Sequence, residues 1–106
     1  MGNLMIYIKI HDTDEGSIIA MCDESLIGKV YEEGDLVLDL KDYSDFYIGE
    51  LTDPEELDIP EHKFNSANIV GKESVEAAIK RKLIEKENVN TIMEVPYAHT
   101  YWMNPE

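Results

Sequence analysis

Ile6, Ile8 and Ile10 alternate with Met5, Tyr7 and Lys9. A period of two makes this stretch a strand with one buried face. The turn residues of HDTDEG follow, and SIIAMC is an apolar run suited to a second strand covered on both sides. The expectation is an antiparallel hairpin, and whatever follows must supply cover for a sheet.

That cover is clearest in ESVEAAIKRKL. Val75, Ala78, Ile79 and Leu83 form one apolar stripe at helical spacing. Lys80, Arg81, Lys82 and Lys86 sit where the negative end of the helix dipole favours cations. Elsewhere the pattern is shorter. Asp23 is placed to cap a helical segment carrying Leu26, Ile27 and Val30, which Gly34 ends; Gly28 within it suggests a close backbone contact. Leu36, Leu38 and Leu40 alternate as a third strand, and DFYIG reads as a fourth. TDPEEL has the signature of a helix start, with Thr52 or Asp53 as cap and Pro54 at the first position. Pro60 halts that helix, so HKFNSANIV reads as a second short helix or a restart. NTIMEVPYAHTYWM supplies one or two closing strands interrupted by Pro96. The sum is an α+β chain: a mainly antiparallel sheet, two to four short helices, one of them (about residues 73–83) packed on the sheet, and a single acidic domain over 1–106.

The net charge of −14 is concentrated in the first half. Residues 12–61 hold seventeen acids against Lys29 and Lys41, whereas residues 62–106 hold six charges of each sign. Such a field repels polyanions at long range and attracts basic surfaces. Cys22 is the only cysteine, so no internal disulfide is expected and a reducing, cytoplasmic setting follows. The start MGNLMIYIKIHD has neither a secretory pattern nor a myristoylation motif. No apolar run approaches the ~20 residues of a spanning helix, and no membrane association is expected.

Candidate chemistry is sparse. NSANIVGKES places Gly71 and Lys72 before a helix, but Ser66 and Glu73 stand where a phosphate-binding loop needs Gly and Ser or Thr. What remains is an anion junction at a helix start, with Gly71, Lys72, Ser74 and Asn68 as its candidate residues. Cys22 precedes another predicted helix start, which makes it a candidate thiol, although Asp23 and Glu24 oppose thiolate formation. His11, His62, His99 and Cys22 match no zinc spacing, so no metal and no cofactor are expected. Tyr97, His99 and Tyr101 share one strand face by alternation, a ladder on which a nucleobase or a partner's side chains can stack.

CDESLIGKVYEEG, FYIGEL, ANIVGKESVEAAI and VPYAHTY, in that order, resemble the small archaeal proteins of the domain of unknown function 424 family. The likeness runs from Met5 to about Met103. In that family the closing motif is closer to Val-Pro-His-Ala-Gln; Tyr97 and His99 replace its histidine and glutamine, so no catalytic histidine is expected at 97. The resemblance implies an archaeal cytoplasmic protein of unassigned activity. Three functional expectations stand. The first is a non-enzymatic interaction module whose acidic face docks a protein partner, itself basic. The second is an RNA- or translation-associated protein using Lys80, Arg81, Lys82 and Lys86 with the 97–101 face. The third is a small-anion binder or enzyme at the Cys22 and Gly71 helix starts.

Overall fold

The computed structural model describes residues 4–14, 16–59 and 64–101. In chain order it contains β1 (Ile6–Thr13), β2 (Gly16–Asp23), β3 (Val30–Glu33), β4 (Leu36–Asp39), α1 (Ser44–Tyr47), β5 (Glu50–Thr52), β6 (Phe64–Val70), α2 (Lys72–Lys80), β7 (Asn90–Ile92) and β8 (Val95–Tyr101). Single 3-10 turns lie at Glu24–Leu26 and Lys86–Asn88.

Six strands form one sheet in the order β5-β1-β2-β6-β8-β7, and β3 with β4 forms a separate two-stranded sheet. The large sheet is antiparallel except where β2 runs parallel to β6. The architecture is therefore α+β, with one parallel pair inside a mostly antiparallel sheet. That pair places two strand ends side by side, with Cys22 opposite Val70.

Alternation along the strands separates two apolar layers. On one face Ile6, Ile8, Ile19, Met21, Ile69 and Ala98 lie beneath Val75, Ala77 and Ala78 of α2. On the other, Ala20, Cys22, Val70 and Ile92 lie beneath Leu38, Leu40 and Tyr47, supplied by the β4 and α1 region. β2 thus has both faces covered, as its unbroken apolar run predicts. His11 stacks on Phe46 with ring centroids 4.4 Å apart and bonds the Phe46 carbonyl oxygen through Nε2 at 2.8 Å, fixing α1 against β1.

The helix under Val75 is shorter than the 73–83 stripe. It closes by two backbone bonds, Lys82 N–H to Ile79 O at 3.0 Å and Leu83 N–H to Ala78 O at 2.9 Å, with Lys82 at φ 64°. This is a Schellman close, and Leu83 completes the apolar stripe from just beyond the helix.

Four other expectations are corrected. Residues 23–34 hold one 3-10 turn and then β3, because Ile27 is already extended and Gly28 takes φ 93°. A Cβ on Gly28 would meet nothing within 4 Å, so its positive φ and not crowding calls for glycine, while its N–H donates to Leu40 O at 2.7 Å, the close backbone contact expected there. DFYIG contributes the one-turn α1 in place of a strand, and β5 begins only at Glu50. At TDPEEL the Asp53 carboxylate accepts from Glu55 N–H at 2.8 Å, but the segment stops at a turn; with Leu57 its only deeply buried apolar side chain, it has no stripe to repay helix nucleation. FNSANIV is the central strand β6 where a helix was expected; Pro60 and His62 lie outside the described residues.

Candidate functional site

The side-by-side ends of β2 and β6 bring Asp23 to the start of α2. One carboxylate oxygen accepts from Ser74 N–H at 2.8 Å and the other from Glu73 N–H at 3.1 Å. These are first-turn amides, which have no partner within their own helix. The anion seat is therefore filled by the protein's own carboxylate. Gly71, at φ 106° and ψ 154°, occupies backbone space nearly reserved for glycine. A Cβ on it would lie 2.3 Å from Asp23 Cγ.

Burial raises the Asp23 pKa, hydrogen bonding from Ser74 and Glu73 opposes that rise, and the nearby Glu76 adds to it. The Ser74 hydroxyl is buried and makes no well-aligned hydrogen bond among the described residues, yet lies close enough to favour the charged form of Asp23. Lys72 is exposed beside the junction. Asn68 alternates with Ala67 and Ile69, which face α2, and so projects from the opposite face of the sheet. The four residues expected at an open anion junction do not form one.

Cys22 and Gly71 do meet at one end of the parallel pair, but the thiol points into the layer that includes Leu38, Leu40 and Tyr47. Burial, aided by the Asp23 charge, pushes its pKa up to about 12. A protonated, enclosed thiol is no nucleophile at neutral pH. His99 stands one strand away, opposite Asn68 on β6, and does not share this junction. Among the described residues no group of His, Cys, Asp and Glu is placed to hold a metal ion.

Tyr97, His99 and Tyr101 share one face of β8, as their alternation predicts. The rings of Tyr97 and His99 meet edge to face with centroids 5.3 Å apart, and Tyr101 is 71% exposed. His99 is exposed by surface area, yet its surroundings remove enough hydration to lower its pKa. The ladder belongs to the face bearing Val70, whereas α2 covers the face bearing Ala98. Lys80 and Arg81, at the end of α2, therefore lie in a different layer from the aromatic residues. Arg81 is also engaged: its Nε donates to Leu57 O at 3.1 Å and its Nη2 to Glu55 O at 3.4 Å. Lys82 and Lys86 are exposed beyond the helix.

Those Arg81 bonds, with Leu57 buried in the α2 layer, hold the 53–57 turn against the helix. Between them lies a groove of about 750 Å³ presenting Asp53, Glu55, Glu56, Glu73 and Glu76. Leu4 and Pro54 add apolar surface. A second hollow of about 250 Å³, lined by Asp23, Glu24 and Ser25 among others, shares Leu4 and Glu73 with the first. The sequence hides this concavity because its walls are about twenty residues apart. Its only local signals are the acids after Pro54 and the Glu73–Glu76 pair, whose spacing of three puts both on one helix face.

An acidic α+β protein with a mixed six-stranded sheet, one covering helix and an internally capped helix start is the class these features define. The sequence matches the family described as protein of unknown function (DUF424) over residues 10–103, and the chain belongs to that family. A similar fold occurs in the crystal structure of an uncharacterized conserved protein from Methanopyrus kandleri, at 20% identity and a TM-score of 0.78. The likeness covers 96% of this chain and 95% of that one. No curated protein sequence matches significantly.

The Gly71 junction has a direct test in chemical denaturation. Gly28→Ala carries only the strain of positive φ and is expected to cost ~1 kcal/mol, whereas Gly71→Ala also displaces Asp23 from two amides and is expected to cost about 3 kcal/mol or more. Equal losses at the two positions would show that Asp23 does not pack there. The thiol can be tested by iodoacetamide at neutral pH: Cys22 should react only as fast as the chain opens, and labelling at the rate of a free thiol contradicts its burial.

Proposed function

We propose that this protein is a small, non-enzymatic interaction module of the cytoplasm that docks a basic segment of a protein partner. The groove between α2 and the 53–57 turn carries this reading. Five acidic residues line this concave surface, Glu55, Glu56 and Glu76 among them exposed, opposed by Lys80 and by an Arg81 already bound to backbone carbonyls. Electrostatic complementarity of this kind gives rapid, selective encounter with a positively charged partner. Leu4 and Pro54 offer apolar surface on which the stems of lysine or arginine can lie while their charged ends reach the acids. The buried, protonated Cys22 and the self-filled anion seat support binding over catalysis.

An RNA-binding alternative draws on Lys80, Arg81, Lys82 and Lys86 together with Tyr97, His99 and Tyr101. Their separation into different layers favours the protein partner, because a joint cationic and aromatic surface is what single-stranded nucleic acid requires.

A capped peptide of alternating lysine and alanine, titrated against the labelled protein, tests the groove. Binding should weaken steeply as salt shortens the range of the charges, and Glu73→Gln with Glu76→Gln should weaken it about tenfold. Unchanged affinity in that double variant would place the peptide elsewhere and remove the groove from this reading.

A further inference from the structure

The two-stranded sheet has an outer edge separate from those of the large sheet, where β5 covers only residues 6–8 of β1 and β7 only residues 95–97 of β8. Both outer strands of the large sheet, β5 and β7, are only three residues long, the usual protection against unwanted pairing. β4 is a four-residue strand whose only strand neighbour among the described residues is β3. Leu36 pairs with Glu33 and Leu38 with Tyr31, while Val37 and Asp39 lie opposite Glu32 and Val30. Gly34 and Asp35 form a two-residue turn, so Glu33 and Leu36 make its first hydrogen-bonded pair. Antiparallel alternation then directs the backbone groups of Leu38 toward β3 and those of Val37 and Asp39 away from it.

Outward backbone groups with no strand beside them among the described residues are a template for an extended chain. The side chains specify its character: Val37 is 61% exposed and Leu36 50%, and both adjoin Glu32, Glu33 and Asp35. We infer that the free edge of β4 receives an extended, basic segment of a partner protein as an added strand. Main-chain hydrogen bonds supply the pairing, and alternate side chains meet the apolar and acidic residues of the hairpin. A second copy of this chain is disfavoured, because each copy brings a charge of −14 to the interface. This surface is formed by other residues than the acidic groove and does not depend on it.

The probe is the capped peptide Arg-Thr-Val-Arg-Thr-Val-Arg, added to the full chain while amide hydrogen exchange is followed by NMR. Exchange at Val37 and Asp39 should slow about tenfold, as a new hydrogen bond requires, with Leu38 unchanged. Val37→Pro removes an outward N–H and leaves the bonds to β3, so it should keep the thermal midpoint within a few degrees and abolish the slowing at Asp39. Should that variant fail to fold, Val37→Lys retains the backbone and sets like charge against the peptide, with the same loss expected. No slowing at β4, slowing confined to residues of the groove, or slowing that persists in Val37→Lys would each overturn the inference. Protection that rises with protein concentration in the absence of peptide, accompanied by a dimer in light scattering, would overturn it in favour of self-pairing.

Discussion

A single buried carboxylate joins the two halves of this chain. Asp23 ends β2, and its oxygens satisfy the first amides of α2 about fifty residues later. Because those amides carry the positive end of the helix dipole, a negative charge there is electrostatically favoured. Burial works in the opposite direction and dominates, since the Asp23 pKa is raised. The carboxylate therefore secures geometry and satisfied donors at an electrostatic cost. Removing it would leave buried amides unpaired, which is the expensive outcome.

From this contact follow the placement of α2 and the shape of the acidic surface. With its start held by Asp23 and its buried side formed by Val75, Ala77 and Ala78, α2 turns Glu73, Glu76 and Lys80 outward. Arg81 then draws in the 53–57 turn, and the acids of both segments share one groove. The opposite layer is built independently by the β3–β4 hairpin and α1, which cover Cys22 and leave the far end of β8 exposed.

Much of this was legible where local pattern and tertiary role agree. The Ile6, Ile8 and Ile10 alternation, the doubly covered β2 and the stripe from Val75 to Leu83 are visible because burial imposes the period directly. The family is legible in ANIVGKESVEAAI and the related segments, which lie within the matched residues 10–103. Reading Asp23 as a helix cap had the right chemistry and the wrong helix. A cap supplied across fifty residues leaves no spacing signature, and it exists only because β2 and β6 run parallel. That parallel pair was itself hidden, since FNSANIV mixes polar and apolar residues and follows Pro60. The groove leaves little mark in the sequence for the same reason: folding alone brings its two acidic walls together.

The central claim is the ionised contact between Asp23 and α2, and carboxyl-carbon NMR across a pH titration tests it most directly, with the Glu73 and Ser74 amides as reporters. Asp23 should titrate above the ordinary aspartate value of about 4, and both amides should shift with it. A pKa higher in the folded than in the unfolded state means that folding takes up a proton between the two values. Stability relative to Asp23→Asn should therefore rise as pH falls through the folded pKa toward about 4. Titration at the ordinary value, with the two amides unmoved and no pH-dependent difference from Asp23→Asn, would contradict the account.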